Sequence, residues 1–375
     1  LLSYESQEIT LIDSNDEKLN FPNSQLDIRV VEGDCTSIST LRKANVFDAD
    51  LFVGVTSAES VNLTACYLAK QLGAKKTIAR ISNPELIQNE KVNFLGLGIS
   101  ELVSPELLTS KEINMVINRA EFTDPFEFDD GALITLGLSA THTSTFVGKT
   151  VVEAAEIFPE TQFFPISIKR EDKTIIPRGD TVFHSGDHIV FMTEPGGEEE
   201  LLKLSGQNNG EIKNVMILGG GKIGRAVAND FQDDLNVRLV EINKDKADMI
   251  ASKFNITVLN DDGTDIEFLR LENLEELDSF IAVTENDQTN LMSALLAKHL
   301  GVKQNIIHVS HTEYIPAMTM IGLDAVVSKS ICTVNKIISY IKTDDNHEIE
   351  KINSCLLYTS PSPRDATLSR MPSCA

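Results

Sequence analysis

Basic residues are in short supply: 33 lysines and arginines face 56 aspartates and glutamates, for a formal net charge of −23. A surface of that sign repels nucleic acid phosphates and a bare anionic membrane, so partners are expected among small molecules and protein surfaces, with no nucleic acid. Cysteine is also sparse. Cys35, Cys66, Cys332, Cys355 and Cys374 are dispersed, with no CxxC pair and no evident disulfide framework, which is the usage of a reducing cytoplasm. No apolar run reaches the length of about eighteen residues that spans a bilayer, and no signal-peptide pattern is recognisable. A GxSxG nucleophile elbow is missing. His184 and His188 are spaced four apart, but the Ser185-Gly186-Asp187 turn between them and the lack of a companion Cys or carboxylate cluster argue against a metal site. What remains is a chain of 375 residues, 42 % apolar, enough for a few packed domains.

Half of that chain repeats the other half. Residues 13–81 reappear without a gap 228 positions later (Glu241 minus Asp13), so that Val55-Thr56, Asn62, Lys70, Gly73 and Lys75 return as Val283-Thr284, Asn290, Lys298, Gly301 and Lys303. Such a period is too long for a solenoid unit and indicates a duplicated domain. In the second copy an apolar run at 215–218 ends in glycines and opens a helix over 223–231. Strands follow at 237–241, 256–259, 279–283 and 305–309, with helices over 244–254 and 287–300. That alternation predicts an α/β fold with a doubly wound parallel sheet. The first copy gives the same order, with strands at 9–12, 28–31, 51–55 and 77–81. Between the copies, over 121–204, short apolar strands at 131–138, 164–170 and 188–192 alternate with turn pairs and one helix over 151–157, which predicts a small β-rich α+β domain. Residues 358–375 are rich in Ser, Pro and Arg and have no apolar periodicity, so they read as a non-native tail.

The chemistry concentrates in Gly219-Gly220-Gly221-Lys222-Ile223-Gly224, which follows a strand and opens a helix, with Glu241 ending the next strand 22 residues after the first glycine (241 − 219). In a dinucleotide fingerprint Gly219 permits the sharp turn, Gly221 admits the pyrophosphate to backbone N–H groups, and Gly224 lets helix and strand pack closely. Glu241 would accept hydrogen bonds from the adenosine ribose hydroxyls. A carboxylate there repels a 2′-phosphate, so NAD(H) is favoured over NADP(H), with ATP, ADP and AMP as further candidates. Asp13 is the matching residue of the first copy, with a helix N-cap as its plainer reading. Asp34 and Asp262 end the third strands, where lining the crevice and capping a turn both fit. Thr56-Ser57 and Thr284-Glu285 lie on the carboxyl edge of the sheet, and Arg80 and His308 tip the next strands, positions where ligands of open α/β folds sit. Lys222 is a lesser phosphate candidate. Two apolar stripes, Ile113, Met115, Val116 and Ile117 in one copy and Ile331, Val334, Ile338 and Ile341 in the other, fit either packing within a domain or a helix crossing to the partner lobe.

The run 215–224, together with Val240-Glu241, Ile281-Ala282-Val283-Thr284 and the stretch 290–298, resembles the TrkA family, the cytosolic regulatory subunits of bacterial Trk potassium uptake systems. Pro177-Arg178-Gly179-Asp180 and Gly186-Asp187 resemble the small RCK-C domain of that family. The resemblance implies a first RCK-N (KTN) nucleotide domain over 1–119, an RCK-C domain over 120–206, a second RCK-N domain over 207–343, a linker over 344–354 and the non-native tail over 355–375. It implies a non-enzymatic, peripheral protein on the cytoplasmic face of the membrane that binds NAD(H), and ATP or ADP, and gates a separate membrane-spanning potassium translocating subunit. A homo-oligomer is the expected assembly. The first nucleotide site would use Asp13, Thr56, Ser57 and Arg80; the second would use Gly219, Gly220, Gly221, Lys222, Ile223, Gly224, Glu241, Asp262 and His308. The first copy's glycine loop would fall near position −9 (219 − 228), so the chain, which opens on Leu1, reads as a fragment short of that loop and of a second RCK-C domain. The rival reading is an NAD-dependent dehydrogenase, against which stands the lack of a Lys, His or Asp acid/base constellation.

Overall fold

The computed structural model describes residues 8–83, 86–87, 91–118, 122–128, 132–157, 163–171, 173–205 and 212–342. The linker expected over 344–354 and the tail expected over 355–375 lie outside the described residues. The first copy runs β1 (Thr10–Asp13), α1 (Asp16–Gln25), β2 (Arg29–Glu32), α2 (Ile38–Lys43), β3 (Leu51–Gly54), α3 (Glu59–Leu72), β4 (Lys76–Arg80), β5 (Glu101–Val103) and α4 (Pro105–Asn118). The middle region runs β6 (Thr123–Phe128), β7 (Leu133–Ser139), α5 (Val151–Ala155), β8 (Phe163–Arg170), β9 (Lys173–Ile175), β10 (His188–Thr193) and α6 (Glu198–Ser205). The second copy runs β11 (Asn214–Leu218), α7 (Lys222–Phe231), β12 (Asn236–Val240), α8 (Lys244–Ala251), β13 (Thr257–Leu259), α9 (Ile266–Leu271), β14 (Ser279–Ala282), α10 (Asp287–His299), β15 (Gln304–His308), α11 (Ile315–Met320), β16 (Ala325–Val327) and α12 (Lys329–Lys342).

The second copy is a six-stranded parallel sheet in the order β13-β12-β11-β14-β15-β16. This is the doubly wound arrangement, whose switch point lies between β11 and β14. Its central strands are apolar on both faces because helices cover both: every residue of β14 is buried, and α7 lays Ile223, Val227, Ala228 and Phe231 against the sheet at helical spacing. The first copy has the same order in two pieces, a β1-β2 pair and a β3-β4-β5 sheet. The sheet divides where β11 sits in the second copy. Strands β3 and β4 keep the 228-residue offset to β14 and β15, whereas β5 matches β16 at 224 (325 − 101), so the first copy carries four extra residues before its last strand. Neither β5 nor β16 was expected, since three residues are too few to show a period.

The middle domain is an antiparallel sheet ordered β6-β7-β10-β8-β9. Its core stacks aromatic rings edge to face, Phe146 on Phe183 at 5.2 Å between centroids and Phe163 on Phe191 at 5.7 Å. Thr150 and Glu153 form a capping box that starts α5. Arg170 on β8 donates two hydrogen bonds of 2.7 Å to Asp187 at the start of β10. Burial raises the Asp187 carboxyl, but the guanidinium and the His184 N–H outweigh it and hold the group below its ordinary value.

The two apolar stripes left open by the sequence belong to helices that cross between lobes. Helix α4 leaves the first copy and buries Ile113 and Ile117 among Val215, Ile217, Val227 and Ile306 of the second. Asn114 of the same helix donates to Asp230 of α7. Helix α12 starts in its own lobe, where Ile331 joins the core of the second copy. It ends on the first, with Ile337 buried beside Ile78 and Val103 and with Tyr340 and Ile341 packed against them. The two helices meet where the Cys332 thiol donates to Glu112 at 2.6 Å. Large-to-small changes at such buried positions cost about 2–5 kcal/mol. Ile113→Ala is therefore expected to lower amide-exchange protection in β11, β14 and β15 of the opposite lobe while β3 and β4 of its own keep theirs; the reverse pattern would rule out the exchange.

Candidate functional site

The loop from β11 to α7 and the first turn of that helix carry four glycines, and the structure separates their reasons. Gly219 has φ of +106°, a left-handed conformation that side chains resist. A Cβ on Gly224 would lie 2.0 Å from the Gly219 carbonyl oxygen, and one on Gly220 would lie 2.4 Å from Ile250 and 2.9 Å from the Glu241 carboxylate. Fold and packing thus require these three. At Gly221 a Cβ would meet nothing within 4 Å among the described residues. Gly221 is also the residue that precedes α7, whose first turn has no side-chain cap. The N-terminal amides and the positive end of the helix dipole therefore face outward beside a bare backbone. Ile223 is buried in the core, so only its backbone can contribute to the site.

Glu241 sits one strand away at the end of β12 and is 6 % exposed. One carboxylate oxygen accepts from Gly220 N at 3.0 Å and from the Lys246 ammonium at 2.8 Å; the other accepts from Asn243 N at 3.0 Å. Burial raises its pKa, but Lys246, Asn243 and Gly220 together hold it below the ordinary glutamate value. An acceptor of fixed charge is the result. A carboxylate has roughly four acceptor positions, so an incoming hydroxyl competes mainly with the partly exposed Lys246 head. Asp13 repeats one of these contacts in the first copy, accepting from Asn15 N at 2.8 Å. The N-cap of α1 is Asn15 and not Asp13. Asp13 orients the turn before the cap, as Glu241 does before Asn243, the cap of α8.

The strand tips on the other side of the loop are tied by an asparagine in each copy. Asn290, fully buried, accepts from the Thr284 amide at 2.9 Å and hydroxyl at 2.6 Å, and donates to the carbonyls of Thr284 at 3.0 Å and His308 at 2.9 Å. Asn62 makes the same four bonds to Thr56 and Arg80, at 2.8, 2.7, 3.0 and 2.9 Å. Thr56 and Thr284 thus serve the latch, while Ser57 is exposed beside it. The asparagines are visible in the repeat, yet their role was not foreseen, because a buried amide clamp has no local pattern. Asp262 accepts from Thr264 N and Oγ1 at 2.9 and 2.8 Å, and Asp34 does the same with Thr36 at 2.8 and 2.7 Å. These are turn-capping contacts.

Arg80 and His308 occupy equivalent tips but different environments. The Arg80 guanidinium lies 3.9 Å from Glu106 at the start of α4, and its Nε has no hydrogen-bond partner among the described residues. His308 is 1 % exposed, and its imidazole meets the Thr284 backbone; the buried hydroxyl of Ser328, one residue beyond Val327, the β16 partner of His308, has no hydrogen-bond partner among the described residues. Burial, then the Lys329 ammonium, pushes the imidazole down to about 4, against the opposing pull of Asp287 and of a hydrogen bond to the Thr284 backbone. No group of three metal-ligating side chains occurs among the described residues.

Two outcomes follow from this geometry. Asn290→Ala leaves buried amide and carbonyl groups unpaired and is expected to cost about 2–4 kcal/mol, read as a lower denaturation midpoint; Asn62→Ala should act in the same direction. For His308 the folded pKa is about 4 against the ordinary 6.5, so the unfolded chain binds the proton first. Its contribution is complete above pH 6.5 and is lost as pH falls toward 4, by roughly 3 kcal/mol in all. His308→Leu should flatten that part of the stability profile measured by chemical denaturation from pH 7 to 4, and an unchanged profile would refute the assignment.

The chain matches known proteins across this architecture. A TrkA-N domain model matches residues 1–105 and 215–329, and a TrkA-C domain model matches 138–206. A Trk system potassium uptake protein trkA homolog 1 of Methanosarcina mazei is 32 % identical over 343 residues, covering 88 % of this chain and 83 % of the relative. Among solved structures, the GsuK channel bound to NAD superposes with a TM-score of 0.66 at 20 % identity, covering 92 % of this chain and 61 % of that one. GsuK bound to ADP gives 0.56 at 14 %, covering 92 % and 65 %. At those identities the structures speak for the fold, an RCK-like arrangement of two parallel-stranded lobes flanking an antiparallel sheet. The sequence matches carry the rest, and by them the chain belongs to the TrkA family of Trk-system potassium uptake proteins.

Proposed function

We propose that the second lobe binds an adenine nucleotide, NAD(H) foremost and ATP or ADP as alternatives, and that binding regulates a separate potassium-translocating membrane subunit. The observation that carries the reading is Gly221: no packing contact requires a glycine there, and a phosphate drawn to the amides of α7 would. Glu241 would take the adenosine ribose. Lys222, Gly219, Gly220, Gly224 and the Ile223 backbone would frame the pyrophosphate, with Asp262 and His308 at the two ends of the crevice. Asp13, Thr56, Ser57 and Arg80 would form the counterpart in the first lobe. That GsuK is found with NAD and with ADP supports the ligand class.

The family is regulatory and not enzymatic, so the output is a conformational equilibrium. A ligand shifts such an equilibrium only by its differential affinity for the two states. Helices α4 and α12 begin at the strand edges beside Arg80 and His308 and end in the opposite lobes, which makes them the natural carriers of that difference. Among the described residues no helix is long and apolar enough to cross a membrane; the family is what supports a peripheral protein acting on another subunit from the cytoplasmic face. A homo-oligomer, and a division into RCK-N over 1–119, RCK-C over 120–206 and RCK-N over 207–343, complete the proposal.

Calorimetric titration of the chain with NADH, ATP and ADP tests it. Glu241→Ala, checked for retained fold by circular dichroism, is expected to weaken binding at least about tenfold, the value of a charge-assisted hydrogen bond. Isotherms unaffected by the substitution would sink the site.

A further inference from the structure

Glu241 does not stand alone past the end of β12. Five residues further on (246 − 241), in the first turn of α8, Lys246 reaches back and places its ammonium 2.8 Å from the carboxylate oxygen that also accepts from the Gly220 amide. Helix electrostatics give no reason for a lysine there, because the positive end of the dipole repels a cation in the first turn. Capping gives none either: Asn243 starts α8 by accepting from the Lys246 amide at 3.0 Å, which leaves the side chain unused. The 228-residue repeat keeps the arrangement, since Lys18 follows Asp13 by the same five residues (18 − 13) and lies in the first turn of α1. The two partners in the second lobe differ in access. The Glu241 side chain is 7 % exposed and the Lys246 side chain 36 %. The carboxylate is thus fixed by the Gly220 and Asn243 amides, while the ammonium, on a flexible four-carbon stem, can swing aside. A bare carboxylate would repel a phosphate carried on the ribose hydroxyl it binds. With the ammonium beside it the pair has no net charge, and a 2′-phosphate meets a cation as well as an anion.

Resting on the nucleotide reading above, we propose that Lys246 is a specificity-determining residue of the second lobe: displaced from Glu241 by the ribose hydroxyls, its ammonium stays beside the 2′ position and offsets part of the repulsion of a 2′-phosphate. Glu241 sets the preference for an unphosphorylated ribose, and Lys246 sets how steep that preference is. The two roles separate because one group is buried and held by backbone amides and the other is not. A lysine that served only as counter-ion to the buried carboxylate would act on every adenine nucleotide alike and leave their relative affinities untouched.

The test is calorimetry of the whole chain with NADH and NADPH, which differ only in the 2′-phosphate, taking as second-lobe binding the part lost in Glu241→Ala. That part should favour NADH in the wild type. Lys246→Ala is expected to widen the ratio of the two affinities by about tenfold, the value of a charge-assisted hydrogen bond to phosphate. Lys246→Arg, which keeps the charge, should hold the wild-type ratio and guards against a folding defect in the Ala variant. Both ligands are read on the same protein, so a uniform loss of affinity cancels in the ratio. A ratio unmoved or narrowed by Lys246→Ala, or joint loss of both ligands in that variant, overturns the inference and leaves the nucleotide site standing so long as Glu241→Ala still removes binding. Binding that Glu241→Ala does not touch overturns both.

Discussion

The exchange of helices α4 and α12 is the constraint on which the rest of this structure depends. Ile113 and Ile117 finish a core whose strands lie more than ninety residues further along the chain (Val215 minus Ile117), and Ile337 finishes one that was laid down at Ile78 and Val103. Neither parallel sheet is covered by its own helices alone. Apolar burial of this kind is the main favourable term in folding, so the lobes stabilise each other and their relative placement is fixed by packing, with the antiparallel domain strung between them.

That placement also ties the strand tips of the proposed crevice to the opposite lobes. The residues that end β4 and β15 are held from behind by Asn62 and Asn290 and lie at the starts of the crossing helices. A displacement at either tip has few ways to dissipate within its own lobe, because packed cores switch between arrangements more readily than they deform. The Glu241 carboxylate works differently. It is pinned by Gly220, Asn243 and Lys246, so as the proposed ribose acceptor it would be preorganised and lose little freedom.

Much of this was legible in the sequence, and the parts that were not have physical reasons. The glycine loop, Glu241 and the long buried strands announce themselves because turn chemistry and apolar runs are local. The Asp13 equivalence came from the repeat and holds at the level of a single hydrogen bond, Asn15 N to Asp13 matching Asn243 N to Glu241. The crossing helices could not be assigned, since an amphipathic stripe specifies that it will be buried and says nothing of where. Asn62 and Asn290 looked like repeat markers because their partners come from two segments separate from their own helix. Asp262 stood equally for crevice lining and turn capping; its Thr264 contacts supply the capping role. Lys246, one turn into α8, escaped notice because a surface lysine at that position is ordinary until the buried carboxylate beneath it is known.

The reciprocal helix exchange has the geometry of a twofold homodimer drawn into a single polypeptide. In a true homodimer both halves come from one gene, so any change at one site is imposed on its mate. Covalent fusion removes that identity while the shared interface preserves the shape. The strand tip could become arginine in one half and histidine in the other, and the carboxylate aspartate here and glutamate there, without loss of the contacts that make each half fold. Duplication in this chain is thus a release of symmetry: two copies of one crevice, packed into each other's cores and chemically free to differ.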